Sequence, residues 1–306
     1  MNRRVTMATI LLLLALAAAW LWTPDKDRAD LEARYARGPA DFVTVAGIRL
    51  HVRDDGPKDA PAVLLLHGFG ASLHTWEPWA QALAPRHRVI RFDLPASGLT
   101  GPDPSGDYSD ERSMQLVAAL MDARGVARAT LVGHSMGGRI AWRFAAAQPQ
   151  RVERLVLLAP DGFASPGFEY GKPPEVGAGV ELMRHVLPRP LLTMSLKPAY
   201  ADPAQMTDER ATRYHDLLLA PGVRAGLIDR MRQVVLRDPV PILKTITAPT
   251  LLIWGDRDAM VPLANAQDYL QALPRSRLVT LPGVGHLPQE EAAATALAAL
   301  QAFLAE

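Results

Sequence analysis

The sequence predicts an α/β protein: a mostly parallel β-sheet flanked by helices, with a helical cap inserted late in the chain. Three observations carry this. Residues 62–66, 88–92, 129–132, 155–158, 250–253 and 277–281 are short, mostly continuous apolar runs, as expected of strands buried on both faces. Helical stretches at 76–84, 111–124, 136–148, 263–273 and 289–304 fall between most of them, and strands alternating with helices imply parallel neighbours. The rhythm breaks once, where about ninety residues separate the strand ending at Ala159 from the one starting at Thr250.

Taken from the N-terminus, residues 5–22 carry no charge, follow Arg3 and Arg4, and end in Trp20-Leu21-Trp22. As a helix this stretch would span roughly 27 Å, close to the roughly 30 Å of bilayer hydrocarbon. It reads as a transmembrane anchor, with a cleaved signal peptide as the alternative because Ala15-Leu16-Ala17 and Ala17-Ala18-Ala19 offer small-x-small patterns. Arg3 and Arg4 favour a cytoplasmic N-terminus, which puts the rest on the outer side, periplasmic in a Gram-negative bacterium, or secreted if the segment is removed. Residues 23–40 read as a charged linker with a short amphipathic helix around Leu31 and Tyr35, its basic side chains Lys26, Arg28, Arg34 and Arg37 solvated.

Residues 41–45 and 48–53 alternate with period two about Ala46-Gly47, the pattern of a hairpin. They open a domain over 41–306. The insert, about 161–247, holds ten prolines and amphipathic pieces at 180–187, 208–219 and 223–236. Helices this short must pack on something, so the insert is expected to lie as a cap across the sheet.

Composition removes several functions. Lys+Arg 33 against Asp+Glu 32 gives a formal charge of +1, which supplies no field for nucleic acid. With no cysteine, disulfides, thiolate metal sites and a thiol nucleophile are excluded, so nucleophilic chemistry falls to Ser, Thr, Lys or a carboxylate. The histidines have no metal-ligand spacing, so neither metal nor cofactor is expected.

Gly133-His134-Ser135-Met136-Gly137 follows a buried strand and opens a helix. A serine on that sharp turn projects its hydroxyl clear of both elements, and small neighbours at two before and two after permit the close approach of backbone. His67-Gly68-Phe69-Gly70 ends the 62–66 strand and would bring the Phe69 amide beside Ser135. With the Met136 amide at a helix N-terminus it makes a two-donor oxyanion hole. Later come Asp256 and Asp258 in Trp254-Gly-Asp-Arg-Asp-Ala-Met-Val-Pro262, then His286 in Gly283-Val-Gly-His-Leu-Pro-Gln289.

The order Ser, Asp, His and these motifs, together with Asp93-Leu-Pro-Ala-Ser-Gly98, resemble the α/β-hydrolase superfamily in its capped serine esterase and lipase-like branch. The resemblance runs from about Asp41 to the C-terminus. It implies Ser135 as nucleophile, His286 as base and Asp258, the carboxylate of the Gly-x-x-Asp pattern, as the orienting acid. Asp256 then structures the turn, and Asp161 is the alternative acid. It departs from the family at Ala96, where relatives often place glycine. The implied activity is hydrolysis of carboxylic esters with an apolar portion, without a cofactor. The alternative is a carbon–carbon bond hydrolase of the aromatic ring-cleavage type, which Ser-Met-Gly-Gly also resembles. A non-catalytic binding protein is disfavoured by the intact triad.

Overall fold

A computed structural model of the chain describes residues 7, 21–165 and 169–306. Helix α1 (Arg28–Tyr35) is capped by Asp27, whose side chain accepts from the Ala29 and Asp30 amides. After it come β1 (Phe42–Val45) and β2 (Ile48–Asp55), an antiparallel hairpin. Its turn residues Ala46 and Gly47 both take positive φ, 47° and 83°, as a two-residue hairpin of the favoured twist demands.

The remaining strands are β3 (Ala62–Leu66), β4 (Arg88–Phe92), β5 (Ala129–His134), β6 (Val152–Leu158), β7 (Thr250–Gly255) and β8 (Ser276–Leu281). They form one eight-stranded sheet in the order β1-β2-β4-β3-β5-β6-β7-β8, antiparallel only at β1/β2 and β2/β4. All six strands expected from apolar runs are present, several extended by one to three residues at an end.

The apolar runs are continuous because both faces are covered, yet the period of two persists inside them. Leu64, Leu66, Leu131, Leu155, Leu157 and Leu252 enter one core with α3 (Asp110–Ala123) and α4 (Met136–Ala147), the helices that follow α2 (Glu77–Leu83) in the chain. Val63, Leu65, Val132, Val156, Leu158, Leu251 and Ile253 enter the other, with Trp76, Trp79 and the C-terminal helix Ala293–Leu304. The chain leaves β3 toward β4 on one side and returns to β5 on the other, so the carboxyl ends of β3 and β5 border the crevice where α/β sheets bind ligands.

Between β6 and β7 lie helices Ala178–Leu182, Arg189–Leu196, Asp208–Leu218, Val223–Gln233 and Val240–Leu243. The helix expected over 180–187 stops at Leu182, and a new one starts at Arg189. Pro188 and Pro190 explain the break, since proline is tolerated in a first turn but not within a helix. Leu187, Leu192, Tyr214, Leu217, Leu218, Val223 and Leu227 form a third apolar cluster, joined by Leu31 and Tyr35 of α1 and by Ala96, Leu99 and Tyr108 of the loops above the sheet.

The basic residues near the N-terminus keep their side chains largely exposed, yet they are paired with the body of the protein. Lys26 and Arg34 both pair with Asp216 (2.7 and 3.0 Å), the Tyr35 hydroxyl donates to the same carboxylate, and Arg28 donates to the Leu99 carbonyl. Asp25 pairs with Arg224 at 2.6 Å. A single buried carboxylate on the insert, Asp216, thus collects α1.

The expected membrane-anchored, extracytoplasmic placement is corrected here. Apart from Met7, Leu21 and Trp22, residues 5–22 lie outside the described residues. Among the described residues no helix is long and apolar enough to cross a membrane. The longest helix among the described residues, Asp110–Ala123, has 14 residues, against the roughly 20 apolar residues a span requires.

Behind the β3–β4 end, Asp93 is fully buried. It accepts from His51 Nδ1 and the Leu73 amide at 2.7 Å each and from the Leu99 amide at 2.8 Å. Burial pushes this carboxyl up, but His51 outweighs it and holds Asp93 down at about 2. Burial also pulls His74, whose Nε2 meets the Tyr35 carbonyl at 3.1 Å, down to about 3. Both folded values lie below the unfolded ones, so the unfolded chain binds more protons in acid. Stability is therefore complete above about pH 6.5, lost first through His74 as the pH falls and then through Asp93 from about pH 4 toward 2. Urea titrations from pH 8 to 4 should show a decline of a few kcal/mol, and His74→Gln should flatten its upper part; an unchanged slope in that variant would assign the decline elsewhere.

Candidate active site

Ser135 sits between β5 and α4 with φ 51° and ψ −121°, a conformation L-residues avoid and that costs roughly 1–3 kcal/mol. Its amide donates to the Leu158 carbonyl at 3.0 Å and its carbonyl accepts from Arg139, so the strain is held by β6 and by the first turn of α4. The tight turn also needs glycine two residues on: a Cβ at Gly137 would collide with the Leu66 and His67 carbonyl oxygens.

The loop after β3 is set by His67, whose Nδ1–H donates to the Gly68 carbonyl (2.8 Å) while its Nε2 accepts from the Leu94 amide (2.9 Å). Burial holds this imidazole below its ordinary pKa, so it stays neutral and keeps that tautomer. Gly68 packs on Ser135: a Cβ at residue 68 would lie 3.2 Å from the Ser135 Cβ. Phe69 follows with its ring about half exposed, and Met136 is the first residue of α4. Among the described residues neither amide donates to a protein acceptor, which leaves both free for an oxyanion.

The loops after β7 and β8 meet. Asp258 Oδ1 accepts from the Met260 and Val261 amides (2.8 Å each), and its Oδ2 accepts from His286 Nδ1–H at 2.8 Å. His286 Nε2 is thereby left for proton exchange with a hydroxyl. Asp256 ties the two loops by accepting from the Gly283 amide at 2.7 Å. Asp161 points elsewhere, with Oδ2 3.0 Å from Arg139 Nη1. Burial pushes its carboxyl up against the pull of Arg139. The structure thus brings Asp258, rather than Asp161, to His286.

His134 lies tilted beside His286 with ring centres 4.6 Å apart, and its Nε2 is 2.8 Å from the His286 carbonyl. A carbonyl only accepts, so the His134 proton is on Nε2. Burial, and after it the charge of His286, holds His134 well below its ordinary pKa, keeping it neutral beside His286. Ala96, which departs from the family pattern, still takes the left-handed conformation at φ 61°. The loop shape survives with alanine at a cost of roughly 1 kcal/mol.

A hydroxyl on a strained elbow, two free amides and a carboxylate-oriented imidazole at one edge of a parallel sheet define a hydrolase. The chain belongs to the alpha/beta hydrolase fold family, whose profile matches residues 61–293. It is 32% identical over 282 residues to the dihydrolipoyllysine-residue acetyltransferase component of an acetoin cleaving system from Pseudomonas putida, covering 89% of this chain and 71% of that one. It is 28% identical to a 2-hydroxy-6-oxononadienedioate/2-hydroxy-6-oxononatrienedioate hydrolase from Cupriavidus pinatubonensis, over 86% of this chain and 94% of that one. Among solved structures, the enol-lactonase from Burkholderia xenovorans LB400 superimposes with a TM-score of 0.74 at 27% identity, covering 87% of this chain and all of the other.

Nothing local in the sequence marks the residues that hold the histidine loop from the insert. Ala199, Tyr200 and Asp202 reach it across more than eighty positions.

Proposed function

We propose that the protein cleaves an acyl bond whose leaving group departs as an enolate, either the carbon–carbon bond of a ring-cleavage-type dienoate or the C–O bond of an enol lactone. The observation that carries the serine mechanism is the 2.8 Å contact of Asp258 with His286 Nδ1 at the same sheet edge as the strained Ser135.

Ser135 Oγ attacks the carbonyl and passes its proton to His286 Nε2, whose cation Asp258 stabilises. The oxyanion forms against the Phe69 and Met136 amides. Collapse breaks the bond to the leaving group, which takes the proton from His286. Water, deprotonated by His286, then attacks the acyl-enzyme and releases a carboxylic acid. Net, R–CO–X and water give R–COOH and H–X. What supports an enolate as X is that the Cupriavidus hydrolase and the enol-lactonase, named for different bonds, would both expel one.

Simple carboxylic esters remain the second reading. The same machinery protonates an alkoxide, and Phe69 and Met260, exposed apolar residues next to the oxyanion amides and Asp258, suit an apolar acyl portion.

Comparing kcat/KM for 2-hydroxy-6-oxononadienedioate, an enol lactone and a p-nitrophenyl ester series separates the two. An enolate-releasing substrate is expected to exceed the best ester by at least about tenfold, roughly 1.4 kcal/mol of transition-state preference. The reverse order would assign the protein to the esterases.

A further inference from the structure

The loop that carries His286 is held from the insert as well as from the loop after β7. The His286 amide donates to the Ala199 carbonyl at 2.8 Å. One residue earlier the Gly285 amide donates to Glu291 Oε2 at 2.6 Å, while Glu291 Oε1 accepts from the Asp202 amide at 2.9 Å, so one carboxylate ties the two segments together. Beside it the Tyr200 hydroxyl donates to Glu290 Oε2 (2.6 Å), and Glu290 Oε1 accepts from Arg213 (2.9 Å) and the Tyr214 hydroxyl (3.2 Å). The approach is so close that a Cβ at Gly285 would lie 2.6 Å from the Ala201 nitrogen and 2.7 Å from the Ala199 oxygen.

We propose that residues 197–202 of the insert are a positioning element for His286, with Glu291 as the positioning residue that locks it on. Glu291 touches neither the reacting atoms nor a substrate. It acts by fixing the height of the histidine loop against the insert, and so the placement of Nε2 relative to Ser135. Seating the insert and aligning the base are then one event. Displacement of a reacting group by about 1 Å is enough to lower a rate by up to about a hundredfold. This inference rests on His286 being the general base.

The test uses the whole protein with p-nitrophenyl acetate, a substrate too small to need the insert for binding. Glu291→Ala is expected to lower kcat about tenfold with KM within about twofold, because alignment rather than affinity is lost. Glu291→Gln, whose carbonyl oxygen still accepts one of the two amides, should recover at least about a third of the wild-type kcat. Tyr200→Phe should lower kcat by at least about threefold with KM unchanged, and it decides the matter by that threshold if Glu291→Ala does not fold. A smaller change in kcat in these folded variants, or a loss confined to KM, overturns the proposal. Wild type that resists a fluorophosphonate, or Ser135→Ala that turns over like wild type, would instead remove the triad reading itself, so the two failures are distinct.

Discussion

Ser135→Ala is expected to lower kcat by about four orders of magnitude or more, and to abolish labelling by a fluorophosphonate. Alanine keeps the Cβ that packs on Gly68 and removes only the hydroxyl, so the elbow, its φ of 51° and the two free amides persist. What remains is the acceleration that oxyanion stabilisation and binding give on their own, about 10³–10⁴ over water in enzymes of this mechanism. His286→Ala should cost about as much, and the double variant little more, because nucleophile and base act as one unit. Circular dichroism and kcat on the three variants check this. Labelling retained in Ser135→Ala would move the nucleophile elsewhere.

Asp258→Asn is expected to lower kcat by about 10³–10⁴, with Asp161→Asn losing less than about tenfold. The asparagine keeps an oxygen for the Met260 and Val261 amides, so the turn survives. Its amide group, however, presents a donor where His286 Nδ1–H needs an acceptor. The imidazole then favours the tautomer with its proton on Nε2, which cannot accept from Ser135, and the cation formed in the transition state loses its counter-charge. Asp161, by contrast, spends Oδ2 on Arg139, and asparagine preserves an acceptor there. Steady-state turnover of both variants with one substrate decides it; a larger loss at Asp161 than at Asp258 would reverse the assignment of the acid.

Much of this was legible before any coordinates. The parallel strands were visible because both their faces are buried, which makes them short unbroken apolar runs, and Ser135, Phe69, Met136, Asp258 and His286 stood out because elbow and loop motifs are local in sequence. The insert was visible as an interruption, but its helices were not all placed: Arg189–Leu196 begins between two prolines, where pattern alone reads a loop. Charge misled at the N-terminus. Lys26, Arg28 and Arg34 look solvated among their acidic neighbours, and only tertiary structure gives Lys26 and Arg34 the insert's Asp216 and gives Arg28 the Leu99 carbonyl of the loop after β4.

The residues by themselves determined a cysteine-free α/β hydrolase with a serine on a strand-to-helix turn, because buried-strand runs, a Gly-x-Ser-x-Gly elbow and the order Ser, Asp, His are read one segment at a time. The resemblance favours Asp258 and keeps Asp161 as the alternative, and only the meeting of the loops after β7 and β8 shows which carboxylate faces His286, with Arg139 on the other. The hold of residues 197–202 on the histidine loop was likewise a matter of tertiary structure alone. It joins backbone groups and the Tyr200 hydroxyl to the carboxylates of Glu290 and Glu291 across more than eighty positions, and no local pattern announces which of them will meet.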